Sequence, residues 1–452
     1  MSINWELSIP PLPVQEVALD KSKGQDGYGF FLEPGMGKTA IIMAEFTNLV
    51  KSDDLDLLVV ICPNTLRSNW AAEAKKFGFA YEVSMFPDVP PKKGMWIINY
   101  EKLVTKSIDL IYNTISHRKT YLVCDESHRI KNPKAKSTKA AIALFDISRV
   151  KRVMTGTPMA NSVIDLWAQM RSIGHHGVHR GPYTWRNRYG IMGGWMGKVV
   201  VGVQREDELK TLVDQCAFQA KKSEWMKSLP PKAYYTIDYE MNRAQKTAYK
   251  EIYNERFFSL ADQEITAPMV ITALMKMQQV TSGFMMDDEG KVVDLVGWNN
   301  PKINAISDAL NDIEGKVILF AHYRHTIDLL YTRFGGEAVK IEGGMKREDI
   351  ENVKYMFNNN PTVKYLIAQT TTAKEGLTLL GSEDNPCHTT IFVENTYSLI
   401  DRTQAEDRNH RHGQVADQVS YYDLVGSKIE AKIIKALQDK KDLVKSVLEG
   451  TR

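Results

Sequence analysis

A chain of 452 residues, 43% hydrophobic and 25% charged, has the composition of an ordinary soluble globular protein and the length of two or three domains. A formal charge of +3 excludes a general polycation, although a cleft can still concentrate basic groups locally. No apolar run approaches the roughly 20 residues that cross a bilayer, and the N-terminal MSINWELSIPPLPVQ lacks a basic-then-apolar signal pattern, so a cytoplasmic protein is expected.

In chain order, YGFFLE (from Tyr28), LDLLVVICP (from Leu55), GMWIINY (from Gly94), TYLVCDE (from Thr120) and KRVMTGTP (from Lys151) read as strands. Helix-like stretches such as TAIIMAEFTNLVK and LRSNWAAEAKKFGF separate them. That alternation predicts a parallel sheet covered by helices, with ligands beyond the carboxyl ends of the strands. Residues 174–202 are rich in Gly, His, Trp and Arg with poor periodicity, which predicts irregular structure or a hairpin. SLPPK, from Ser228, reads as a linker, and residues 241–283 read as helical. A second set of strands follows: KVILFAHY (from Lys316), AVKIEGG (from Ala338), VKYLIAQT (from Val363), HTTIFVEN (from His388) and VSYYDLV (from Val419). The chain closes on a basic amphipathic helix expected to pack on the second lobe. The fold class expected is therefore α/β with two lobes, 1–228 and 229–452, carrying insertions at about 174–205 and 241–295. Cys62, Cys124, Cys216 and Cys387 lie far apart, mostly in apolar runs, and read as buried, reduced thiols.

Leu32-Glu33-Pro34-Gly35-Met36-Gly37-Lys38-Thr39 follows a strand and opens a helix, the context of a phosphate-binding loop. Gly35 and Gly37 permit close backbone approach, and the helix N-terminus supplies oriented N–H groups. Lys38 is placed for the β- and γ-phosphates and Thr39 for Mg²⁺. Leu32 departs from the common pattern, which has Gly there. Asp125 and Glu126 end the strand TYLVCDE. Asp125 can hold Mg²⁺ through its water shell, and Glu126 can orient and deprotonate the attacking water. Thr155, Gly156 and Thr157 end another strand, where small hydroxyls sense a γ-phosphate or hold a backbone phosphate, or simply form a turn. In QAEDRNHR, Arg408 and Arg411 are three apart and on a helix would share a face. They are either finger arginines or part of a solvated surface. His175, His176 and His179 hint at a metal, but no acid or Cys completes a site.

The set resembles the Snf2-like group of superfamily 2 motors, from about Pro10 to Gly450. PPLPVQ resembles the adenine-reading element through Gln15, and EPGMGKT (with Pro34, Gly35, Met36, Gly37) resembles motif I. VVICPNTLRSNWAAEAKKF, with Trp70 and Glu73, resembles motif Ia, and IINYEKL motif Ib. DESHRIKN resembles motif II, with its Lys131-Asn132 extension. MTGTPMANSVIDLW, with Asn161, Leu166 and Trp167, resembles motif III. KVILFAHY, QTTTAKEGLTL and QAEDRNHRHGQ resemble motifs IV, V and VI. The resemblance implies two RecA-like lobes, ATP and Mg²⁺ as cofactors, Gln404 near the nucleotide, and Arg408 and Arg411 as fingers. It also implies that His128 couples the nucleotide to motif III. Phosphate contacts to nucleic acid are implied at Thr65, Arg67, Lys131, Asn132, His322, Thr371 and Thr372, alongside Thr155 and Thr157. Ala373-Lys374 stands where many remodellers have Gly-Gly, and the GLT and QAEDR segments resemble the distant fork-reversing and annealing branch. The compact chain resembles phage or bacterial members. The expectation is a monomeric, DNA-dependent translocase that remodels forked or branched DNA. A strand-separating helicase on DNA or RNA, with Trp195 in a hairpin wedge, stays open, as does a nucleotide-gated binding protein without turnover.

Overall fold

The structure, a computed structural model, describes residues 5–449 other than 53–54, 160–161, 175–177, 179–180, 194–198, 258–266, 288 and 374–376. His175, His176, His179, Asn161, Trp195 and Lys374, each singled out from the sequence, lie outside the described residues. The chain divides into two compact units, Met1–Lys227 with Lys440–Arg452, and Ser228–Asp439. The sequence pattern alone assigns the whole C-terminal helix to the second lobe. The helix Lys428–Glu449 does begin in the second unit, but from Lys440 onward it groups with the first. There Val444 packs on an apolar cluster, and burial, with the charge of Lys131 beside it, pushes the Lys440 ammonium down.

The first unit holds β1 Gly27–Leu32, β2 Leu57–Cys62, β3 Glu82–Met85, β4 Gly94–Asn99, β5 Thr120–Asp125 and β6 Val150–Met154. Then come the antiparallel pair β7 Gly190–Gly193 and β8 Val199–Val203, and finally β9 Ala217–Ala220. Seven strands form one parallel sheet in the order β3-β4-β2-β5-β6-β1-β9. The central strands are apolar on both faces because helices cover both faces. Alternate residues then serve two cores. Leu57, Val59, Ile61, Leu122 and Cys124 enter one, while Leu58, Val60, Cys62, Tyr121 and Val123 enter the other. The expected irregular segment contains β7, β8 and a helix, Pro182–Tyr189.

The second unit holds β10 Lys232–Asp238, the antiparallel pair β11 Phe284–Met286 and β12 Val292–Asp294, then β13 Val317–Ala321, β14 Ala338–Ile341, β15 Tyr365–Gln369, β16 Thr389–Phe392 and β17 Val419–Val425. Its parallel sheet runs β10-β17-β16-β13-β15-β14. Helices Arg243–Phe257 and Ala267–Thr281 occupy the stretch expected to be helical. All four cysteines are buried and free. No helix among the described residues is long and apolar enough to cross a membrane.

A buried ion pair fixes the helix Lys38–Lys51 to the first sheet. Arg152, on β6, is 1% exposed and grips Glu45 with two bonds, Nε to Oε2 at 2.9 Å and Nη2 to Oε1 at 2.7 Å. Ser22 and Tyr121 donate to the same carboxylate, and the carbonyls of Gln25, Asp26 and Lys151 accept the remaining guanidinium protons. Removing one partner strands the other charge in the core. Glu45→Ala is therefore expected to destabilise the first unit by about 3–5 kcal/mol, read as a shift in its denaturant midpoint. A loss below about 1 kcal/mol would mean that the pair behaves as an exposed one.

Candidate functional site

β1, β5 and β6 are neighbours, with Phe30 beside Met154 and Asp125 beside Met154. Their carboxyl ends therefore bring Pro34–Thr39, Asp125–Glu126 and Thr155–Thr157 to one sheet edge. The helix Lys38–Lys51 starts there with no acid in its first turn, so its positive end is uncompensated by its own side chains. Its first N–H groups have no intrahelical acceptor and suit an anion. The Lys38 ammonium is buried and donates to the Leu32 carbonyl at 2.8 Å, with the Glu33 carbonyl at 3.5 Å.

Two close approaches shape the loop. Gly37 has φ +73°, and a Cβ there would lie 2.0 Å from Gln15 Nε2. That nitrogen donates to the Gly37 carbonyl at 3.1 Å, while Gln15 Oε1 accepts the Leu12 N–H at 2.8 Å. A Cβ on Gly156 would meet Pro34 Cδ at 2.7 Å, so the segment after β6 lies directly against the loop after β1. Gly35 also has positive φ, and Met36 is fully buried. Thr39, the second residue of the helix, places a hydroxyl at the same end.

The two acids part company at the strand end. Asp125 Oδ2 accepts the Trp70 indole N–H at 2.9 Å and Oδ1 the Glu126 N–H at 2.9 Å, while the Tyr100 hydroxyl donates to the Asp125 carbonyl at 2.7 Å. Glu126 has φ +51°, a left-handed conformation that costs a side-chain-bearing residue about 1–2 kcal/mol. That turn sends its carboxylate to His128 and Thr155. His128 Nδ1 is 3.2 Å from Glu126 Oε2 and 3.0 Å from Thr155 Oγ1. The Thr155 hydroxyl donates to Glu126 Oε2 at 3.3 Å and accepts the Thr157 N–H at 3.1 Å. With its one proton given to Glu126, the Thr155 oxygen meets His128 as an acceptor, so Nδ1 carries the hydrogen.

Burial and the neighbouring Glu126 charge push the Asp125 carboxyl up, against the pull of the Trp70 N–H and Lys38. Burial pushes Glu126 up as well. The His128 hydrogen bond and charge, Lys38 and the Thr155 hydroxyl outweigh it and hold Glu126 down.

Gln169 and the ring donors of Trp70 and Tyr100 escaped sequence reading as site residues. Gln169 is fully buried; its Oε1 accepts from Ser127 at 2.7 Å and its Nε2 donates to the Pro158 carbonyl at 2.6 Å. It thus joins the segment after β5 to the segment after β6. Trp70 lies in the segment that resembles motif Ia, but nothing in the sequence says which acid, 55 residues away, its indole meets.

In the second unit, the helix Leu399–Glu406 ends before the expected arginine pair. Arg408 and Arg411 therefore do not share a helix face. The chain leaves the helix at Asp407, and His410 and Asn409 anchor the following turns to the Pro230 carbonyl and the Thr390 hydroxyl. The turns still bring the pair together, because both guanidinium groups donate to the Leu377 carbonyl, at 2.9 and 3.0 Å. Arg408 also donates to the Gln404 carbonyl at 2.7 Å and Arg411 to Thr378 Oγ1 at 2.7 Å. Gln404 is buried, and its Oε1 has no donor among the described residues.

Of the expected phosphate contacts, Arg67 opens the helix Arg67–Lys76, Thr371 and Thr372 lie in the short helix Thr370–Ala373 after β15, and the others lie in turns or just after a strand. Thr65 is exposed in the turn Asn64–Leu66, and Arg67 donates to the Phe86 carbonyl. Lys131 and Asn132 follow the turn Ser127–Ile130, with Asn132 Oδ1 accepting the Lys134 N–H at 3.0 Å. His322 follows β13 and donates its N–H to Glu394, while Thr371 is exposed and Thr372 donates to Gln369 Oε1 at 3.3 Å. No group of three or more His, Cys, Asp or Glu among the described residues forms a metal cluster.

The SNF2-related domain matches residues 19–286 and the helicase conserved C-terminal domain residues 301–413. An uncharacterized ATP-dependent helicase of Mycoplasma pneumoniae is 23% identical over 92% of this chain and 40% of its own length. The DNA repair and recombination protein RDH54 of Saccharomyces cerevisiae is 23% identical over 84% of this chain and 45% of its own length. The chain thus spans less than half the length of these curated relatives. The SWI2/SNF2 ATPase core of Sulfolobus solfataricus in complex with dsDNA aligns at 21% identity over 99% of this chain and 95% of that one, with a TM-score of 0.46.

Gly24 and Gly37 provide a matched test of the loop. Both have positive φ, near +74°, but a Cβ on Gly24 meets open space. Gly24→Ala is expected to cost only about 1 kcal/mol of stability. Gly37→Ala should also displace Gln15 and weaken binding of a fluorescent ATP analogue by about tenfold or more, equivalent to about 1.4 kcal/mol. Equal analogue affinity in the two variants would mean that the Gln15 contact does not shape the loop.

Proposed function

The chain belongs to the SNF2-related family of superfamily 2 ATPases, and on that premise we propose that it is a DNA-stimulated ATP hydrolase that translocates on DNA. The observation that carries this reading is the Glu126 carboxylate, bonded to His128 and Thr155 at the sheet edge that also bears Lys38. A charged carboxylate beside a phosphate loop is a base for water, and its hydrogen-bond network runs into the segment that packs on that loop.

In this reading Lys38 and the N–H groups at the start of its helix bind the phosphates, and Gln15 reads the adenine. Thr39 and Asp125 fit Mg²⁺: both offer hard oxygen, and each Asp125 oxygen keeps a lone pair beyond its present bond. The ion, when bound, neutralises phosphate charge. Glu126 accepts the proton of the attacking water, and His128 and Thr155 pass the change of charge to Gly156 and Thr157. Arg408 and Arg411 act as fingers, with Gln404 beside the nucleotide. Thr65, Arg67, Lys131, Asn132, His322, Thr371 and Thr372 hold backbone phosphates, which makes binding salt-sensitive and largely sequence-independent.

The finer reading is remodelling of forked or branched DNA by a monomer in a bacterial or phage-infected cytoplasm. The DNA repair and recombination relative supports DNA over RNA as the track.

Lys38→Ala and Glu126→Gln are each expected to cut ATP turnover by about 100-fold or more in a steady-state phosphate-release assay, with duplex binding retained. Arg408→Ala and Arg411→Ala should lower turnover while an ATP analogue still binds. Normal turnover in Lys38→Ala would end the hydrolytic reading. The substrate is tested by comparing ATPase stimulation by duplex DNA, single strands, four-way junctions and RNA. Junctions are expected to stimulate best, and stimulation by RNA alone would overturn the DNA assignment.

A further inference from the structure

The stretch Lys131–Lys139 carries four lysines and no acid. Near it stands the helix Pro182–Tyr189, in a segment to which the motifs assign no role. Tyr183, its second residue, is 58% exposed. Two cations from different parts of the chain rest on that ring. Lys134 Nζ lies 5.8 Å and Arg186 Cζ 5.4 Å from its centroid.

Neither cation makes an ion pair with a carboxylate among the described residues; the Arg186 guanidinium reaches only Asn187 Oδ1, at 3.4 Å. Arg188 on the same helix is different, because Glu208 neutralises it through Nε at 2.7 Å. The helix adds its own positive end. Gly181 provides no side-chain cap, and the first turn contains no acid. Two like charges and a helix N-terminus thus converge around one exposed ring. The attraction of a ring for each cation, about 0.5–1 kcal/mol at an exposed site, orients them but leaves their charge uncompensated. An anion with several acceptor oxygens balances it.

We propose that Lys134, Tyr183 and Arg186 form a clamp for the phosphodiester backbone of nucleic acid on the first unit, outside the helicase motifs. Lys134 and Arg186 contact phosphate oxygens, and the Tyr183 ring holds their heads in place and presents a flat face to the sugar–base column. The clamp continues the basic run that begins at Lys131. It rests on the reading of the chain as a nucleic-acid motor.

The test uses the full chain and a labelled DNA duplex titrated across a salt series. The Lys134→Ala/Arg186→Ala double variant is expected to show a log–log salt slope shallower by about 1 to 2, because each phosphate that the protein neutralises adds about 0.9 to the slope. Its affinity at low salt should fall about tenfold or more, with an unchanged thermal midpoint. The charge-keeping Lys134→Arg/Arg186→Lys variant should restore the slope. If the wild type binds duplex and the double variant keeps its slope, the clamp is overturned and the motor reading stands. Weaker binding with an unchanged slope also overturns the clamp, because it marks altered packing with the same number of phosphates neutralised. A wild-type chain that binds neither DNA nor RNA overturns both readings. Inorganic phosphate binding that disappears in the double variant, with duplex binding untouched, assigns the cluster to a free anion and removes the clamp.

Discussion

Two carboxylates side by side at the end of a buried strand cannot both stay ionised without help, and the first unit is organised around that difficulty. Like charges at this separation repel, and burial penalises each of them. The backbone separates them first: Asp125 completes β5, while Glu126 turns into the left-handed region and points elsewhere. The surroundings then divide the burden. Asp125 receives two N–H groups but is pushed toward its neutral form by burial and its neighbour. Glu126 receives His128, Thr155 and the field of Lys38, and stays charged. One geometry thus gives two adjacent carboxylates different environments and different proton affinities, in the pattern of paired carboxylates with distinct surroundings.

That division works only if three chain segments stay in register. Arg152 and Glu45 lock β6 to the helix that follows the phosphate loop. Gly156 lets the segment after β6 touch Pro34, and Gly37 lets Gln15 reach the loop backbone. Gln169 ties Ser127 to Pro158. Each contact is short and specific, so a shift of the loop after β1 is felt at Thr155 and at Glu126. Coupling of this kind needs no long pathway; it needs adjacent segments without slack.

The sequence exposed the parts of this arrangement that depend on local pattern. Continuous apolar runs such as LLVVIC mark strands buried on both faces, and the Gly-rich segment marks the turn between β1 and the helix Lys38–Lys51. β3, β9 and β10 escaped because each is short or lies at a sheet edge, where half-exposed residues such as those of KAYYTID carry no apolar run. The helix expected to carry Arg408 and Arg411 ended early because the turns after it are held by tertiary bonds from His410 and Asn409, which no local propensity reports. Trp70, Tyr100 and Gln169 were invisible as site residues for the same reason. Their role lies in partners far along the chain.

The second unit meets a related electrostatic problem with arginine. Arg402 is buried between Glu406 and Asp423 and lies over the Phe392 ring, 3.6 Å from its centroid. Its charge is therefore spent inside the fold. Arg408 and Arg411 meet at one oxygen, the Leu377 carbonyl, to which both donate. A shared acceptor fixes the two guanidinium groups relative to each other. Beside them the buried Gln404 Oε1 accepts nothing from the described residues, at a cost of about 1–3 kcal/mol. A fold that surrounds Arg402 with two carboxylates and tolerates an unsatisfied acceptor two residues later is not maximising stability in that turn. The acceptor and the two arginines lie in one short segment, Gln404 to Arg411, and Arg408 also donates to the Gln404 carbonyl, so a shift of the turn after the helix is felt by all three residues.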